Sequence, residues 1–133
     1  MNKLKSLFLA TVLFSAISVA GTAEGVSSAI SWLEVVDSGE YAESWSEASP
    51  YFQSQISSDN WEQALKKVRH PLGKVLSREV TTSSLHTSLP GAPEGNYLVV
   101  VFSTSFEQKS SATETVTVSQ TGDDWRAVGY FIK

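Results

Sequence analysis

The chain has two histidines and no cysteine, so imidazole chemistry rests on His70 and His86, and thiol chemistry is absent. A nucleophilic triad needs an activated Ser or Cys, a His base and an orienting carboxylate. No serine here sits in a G-x-S-x-G turn. His70 falls in the last turn of a helical pattern, where an imidazolium suits the negative end of the helix dipole. His86 falls at a strand end beside a loop. The two lie sixteen residues apart without an HExxH pattern, which fits no zinc site. The acids of "TGDD" make a turn, since a calcium loop spreads its ligands over about twelve residues. There is no phosphate loop and no dinucleotide fingerprint. We expect no metal and no cofactor.

Carboxylate chemistry is what is left. Glu79 and Glu114 are the strand acids that alternation can turn toward a cavity. Arg78 and Tyr130 are their candidate partners, because an acid beside a phenol in an apolar pocket is how some isomerases work. Trp32, Tyr41, Trp45, Tyr51, Phe52, Phe102 and Tyr130 could line such a pocket. In so small a domain the core is the simpler use for them. The candidate ligand-binding set is Arg78, Tyr130, Glu79, Glu114, Trp45 and Tyr41.

The placement of the basic residues limits the ligand class. From Leu7 to Leu65 there is no Lys or Arg; then Lys66, Lys67, Arg69, Lys74 and Arg78 follow closely. Glu62 and Lys66 stand four apart in the favourable order, and cations at a helix C-terminus oppose its dipole. Those three helical cations therefore need no ligand. Arg78 stands mid-strand, within reach of an acid on a neighbouring strand or of an anionic ligand. The acidic first half, with Glu34, Asp37, Glu40, Glu43, Glu47, Asp59 and Glu62, makes an internal or intersubunit charge match the economical reading. Ten basic against fourteen acidic residues give a formal net charge of −4. Such a balance argues against nucleic acid and anionic membranes as partners.

The stretch "MNKLKSLFLATVLFSAISVAGTAEG" has Lys3 and Lys5, an apolar run from Leu7 to Ala20, and then small residues. The run is short for a bilayer, which needs ~20 apolar residues. We expect a signal peptide over residues 1–23, cut after Ala20 or Ala23, and a periplasmic or secreted protein with no membrane contact after cleavage. Losing Lys3 and Lys5 leaves eight basic against fourteen acidic residues, a net of −6. Residues 24–133, about 110 in number, suit one domain that folds without disulfides.

Three helical patterns come first. Val26, Ala29, Ile30, Leu33 and Val36 share one face, and Gly39 stops the helix. A second helix starts near Tyr41, with Ser49-Pro50 interrupting or restarting it. A third starts at Asp59, with Glu62 completing a capping box; its apolar face is Trp61, Leu65 and Val68, and Pro71 ends it. Beyond Gly73 the period is two. Strands are expected over Val75 to about Leu85, "YLVVVFSTSF", "ATETVTVSQ" and "WRAVGYFIK", with "EQKSS" as a hairpin tip. In the third strand Glu114, Val116 and Val118 share a face opposite Thr113, Thr115 and Thr117. The fold class is α+β: three N-terminal helices packed on a four-stranded antiparallel meander.

The segments "WLEVVDSGEYAESWSEASPYF", "WEQALKKVRHPLGKVLSREV", "SLPGAPEGNYLVVVFSTSFEQK" and "WRAVGYFIK" resemble a family of small secreted bacterial proteins, domain of unknown function 4019, over about Ala29 to Lys133. The resemblance implies a cystatin-like or nuclear transport factor 2-like cone and brings no activity with it. We expect a non-catalytic binding or protein-interaction module. Its surfaces would be the aromatic helix face around Tyr41, Trp45 and Tyr51, or the open sheet face, through which a homodimer could form. The alternative is a cavity enzyme or small-ligand carrier using a pocket carboxylate. Cystatin-like inhibition of a partner enzyme rests on fold analogy, and no inhibitory loop is visible.

Overall fold

A computed structural model describes residues 19–133. The first part of the expected leader, residues 1–18, lies outside the described residues. Helix α1 spans Val19–Asp37 and so runs through both expected cut positions. It ends at Gly39, whose φ of 84° is the left-handed cap that glycine adopts without strain. The Gly39 N–H donates to Val36 O at 3.0 Å and closes the last turn.

The expected middle helix is two helices, α2 (Tyr41–Ser46) and α3 (Pro50–Gln55), so among the described residues the helical layer has four members rather than three. Ser49 is the reason. Held extended ahead of Pro50, it cannot continue α2, and its hydroxyl accepts from Phe52 N at 3.1 Å to start α3. Helix α4 covers Ser58–Arg69. Its cap is Ser57, which accepts from Asn60 N at 3.2 Å, and not Asp59 as the capping-box spacing suggested. Asp59 lies inside the first turn, where its charge still favours the dipole. A 3-10 turn at His70–Leu72 and Gly73 lead into the sheet.

The strands are β1 (Val75–His86), β2 (Tyr97–Phe106), β3 (Lys109–Thr121) and β4 (Asp124–Ile132), in the order β1-β2-β3-β4 and all antiparallel. The β2–β3 turn is tighter than the expected "EQKSS" tip, since only Glu107 and Gln108 lie between the strands. Leu98, Val100, Phe102, Val116, Val118, Trp125 and Ala127 face the helices and are buried. Against them pack Ala29, Trp32, Leu33 and Val36 of α1 and Trp61 and Leu65 of α4. Gly25 lets α1 approach closely: a Cβ there would lie 2.6 Å from Leu98 Cδ2 and 3.2 Å from the Trp125 ring. The opposite face of the sheet carries Val99, Val101, Thr115 and Thr117, partly exposed, and Phe131 at 53% exposure.

Buried Ser44 organises the helices around two indoles. Its carbonyl accepts from Trp32 Nε1 at 2.8 Å and its hydroxyl from Trp61 Nε1 at 2.9 Å. Trp32 also meets the Tyr130 ring edge-on at 5.6 Å, which leads from the helical layer to the one buried carboxylate of the sheet.

Candidate functional site

Glu114 faces inward from β3, opposite Phe102 of β2 and Ile132 of β4, and its side chain is fully buried. A carboxylate removed from water needs donors for its lone pairs. Four converge on it. Oε1 accepts from Arg78 Nε at 2.7 Å and from the Thr104 hydroxyl at 2.6 Å. Oε2 accepts from Arg78 Nη2 at 3.2 Å and from the Tyr130 hydroxyl. Arg78 thus grips Glu114 as a planar fork, the geometry that suits guanidinium and carboxylate.

The same guanidinium reaches the helical layer. Arg78 Nη1 donates to Asp37 Oδ2 at 2.7 Å and Nη2 to Asp37 Oδ1 at 3.0 Å. Arg69, the last residue of α4, donates from Nη2 to Asp37 Oδ1 at 2.9 Å. A carboxylate at the last residue of α1 opposes that helix's dipole unless cations stand beside it, and here two do. Two carboxylates and two guanidiniums balance, so the cluster carries no net charge. Arg69 lies over the Phe106 ring at 5.0 Å, while its Nε and Nη1 are buried without a hydrogen-bond partner.

The neighbours shift two titrations. Burial alone would weaken the Arg78 charge, but its bonds to Asp37 and Glu114 more than offset this and hold the guanidinium above its ordinary range. Burial pushes the Tyr130 phenol well above its ordinary value, and the Glu114 charge beside it adds to the shift.

The structure brings together Arg78, Glu114 and Tyr130 of the candidate set and separates the other three. Glu79 pairs in register with Ser103 and is exposed. Trp45 and Tyr41 pack on the helical side of the core, the Trp45 indole donating to Ile56 O at 2.8 Å. Tyr51 donates to Gly91 O at 2.8 Å, tying α3 to the loop before β2. Asp37, Arg69 and Thr104 stood outside the candidate set, although Asp37 and Arg69 belong to the acidic and basic groups expected to match each other, as they do here. Arg69 did leave a signal, because it continues the Trp61–Leu65 stripe at i+4. Val68, assigned to that stripe from spacing, is instead 45% exposed. The expected Glu62–Lys66 contact is absent from the close ion pairs among the described residues. Exposed pairs of that kind gain little from closing.

An open groove of about 930 Å3 lies elsewhere, between α1, the end of α2 and the β3–β4 turn, with Glu24, Ser27, Ser46, Glu47, Asp123 and Arg126 in its walls. A recess of about 260 Å3 shares Ser27, Glu47, Trp125 and Arg126 with it. Neither is lined by Arg78, Glu114 or Tyr130. Among the described residues no group of three His, Asp or Glu is gathered as metal ligands. No helix among them is long and apolar enough to cross a membrane.

Fold and site together define a small α+β domain whose helical layer is clasped to an antiparallel meander by a four-charge network that runs from buried Glu114 out to Asp37 at the surface. The chain belongs to the family described as "Protein of unknown function (DUF4019)", whose model matches residues 28–130. No curated protein and no solved structure gives a match to the chain.

Proposed function

We propose that this chain is a non-catalytic interaction module, exported by a cleaved leader to a periplasmic or extracellular site, whose working surface is the uncovered face of its sheet. The observation that carries this reading is the saturation of Glu114. A general base needs a free lone pair within reach of a substrate proton, and all four donors around this carboxylate come from the protein itself. With the buried acid committed to holding the fold, recognition is left to surfaces. The sheet face of Val99, Val101, Thr115, Thr117 and Phe131 presents a mixed apolar and hydroxyl surface without a helix over it among the described residues.

A second reading, a small-ligand carrier, is favoured by the groove beside α1. The buried Trp125 indole N–H next to it has no partner. Native mass spectrometry on protein gently purified from its own compartment separates the two. The interaction module is expected at the bare chain mass or a multiple of it, or with a protein partner. A small molecule co-purifying in stoichiometric amount would sink that reading and make the protein a carrier. The same spectrum reads the leader cut directly, at Ala20, at Ala23 or not at all.

A further inference from the structure

The two edges of the sheet are treated differently. At β4 the helical layer closes the edge: Ser49 N, at the start of α3, donates to Ala127 O at 2.8 Å. Strand β4 also carries charges at Asp124 and Arg126. At β1 nothing comparable occurs. Beyond its ladder with β2, no backbone hydrogen bond among the described residues engages any residue from Val75 to His86. Every position from Glu79 to His86 is exposed, including Val80 at 40% and Leu85 at 42%.

A free edge offers alternate N–H and C=O groups to any strand that can reach it, and proteins ordinarily blunt it with charge, proline or a bulge. In β1 those devices are confined to the first half. Arg78 and Glu79 are there, and the register shifts fall at Val75/Ser77 and Val80/Thr82. From Thr82 to His86 the strand follows β2 in unbroken register, without a carboxylate, ammonium, guanidinium or proline.

We propose that this edge pairs antiparallel with the same edge of a second copy, joining two sheets into one of eight strands. A two-fold axis at Ser84 opposes Thr82 of one copy to His86 of the other, and Ser83 to Leu85. Each pair then joins residues on the same face, as register demands. Both copies are net negative, and this strip can pair without bringing like charges together. The inference does not rest on the reading above. It goes beyond it by leaving the sheet face free and doubling its extent. A dimer through the sheet face, the arrangement expected from the sequence, is the competing geometry.

Sedimentation of the purified chain over a concentration series decides the matter, run beside Ser84→Lys, at an exposed site, and Thr115→Lys, at a partly exposed one. Ser84→Lys opposes two ammonium groups at the axis, and the dimer dissociation constant should rise about tenfold or more. Thr115→Lys should leave it unchanged. In the wild type, amide exchange at Thr82–His86 should slow as concentration rises, a readout independent of any variant. Loss of the dimer in Thr115→Lys with retention in Ser84→Lys overturns the edge in favour of the face. So does a dimer that survives Ser84→Lys with β1 amides still exchanging freely. A wild-type chain that stays monomeric at the highest concentrations also overturns it, and leaves the edge to an extended segment of another protein.

Discussion

Tyr130 shows what the buried cluster asks of one side chain. Its hydroxyl must stay protonated to donate to Glu114, and its surroundings enforce this by pushing the phenol up. The consequence for stability has a definite sign. A group whose folded titration lies above its unfolded one, near 10 for tyrosine, stabilises fully below that value and loses its contribution as pH rises beyond it. Removing the hydroxyl takes one donor from a charged acceptor, worth about 2 kcal/mol. Tyr130→Phe should therefore lower the urea midpoint at neutral pH, and the gap to wild type should close toward about pH 11. Tyrosinate absorbance of folded wild type and variant should rise together, because Tyr130 contributes nothing to it while the fold holds. A wild-type excess in that rise would mean that Tyr130 ionises in the folded state. Half of this cluster was legible in advance, because Arg78, Glu114 and Tyr130 have the right types at strand positions. Asp37 was not, because its carboxylate matters only once α1 ends beside β1, forty-one residues further along.

At the scale of elements, Gly25 sets how closely α1 lies on the sheet. Alanine is the better helix former by about 1 kcal/mol, but its Cβ would lie 2.6 Å from Cδ2 of wholly buried Leu98 and 3.2 Å from the Trp125 ring, so both must shift. Overpacking of this kind costs about 1–3 kcal/mol. Gly25→Ala should thus be destabilising on balance in thermal melts; a higher melting point would show that α1 can lift without loss. Periodicity made the strands plain. The alternation of Glu114, Val116 and Val118 against threonine placed those faces correctly, and "YLVVVFSTSF" matches β2 residue for residue. Helix starts were harder. Ser57 and Asp59 are both good caps two residues apart, and only the backbone angles choose between them. The split at Ser49 was visible as a pre-proline residue, though whether the chain restarts a helix there depends on β4 receiving its N–H.

Across the whole molecule, chain order and spatial order disagree. All four helices precede the sheet, yet α1 lies against β2, β3 and β4. Strand β4 supplies Trp125 and Ala127 to the core, the carbonyl that Ser49 binds, and the Tyr130 that donates to Glu114. The helices, made earlier, therefore wait for β4. While the chain emerges from its N-terminus, the apolar stripe of α1 and the Trp61–Leu65 face of α4 have no sheet to cover them. A helix of 12 residues such as α4 has little stability of its own. Stopping synthesis before Asp124 should leave no folded core, only a collapsed and protease-sensitive chain. Limited proteolysis of nascent chains of increasing length would show protection arriving in one step near the end, whereas early protection of the helices would show a layer that folds alone. The closing step falls to the last strand, so a segment of fewer than a dozen residues governs when this protein becomes resistant to its surroundings.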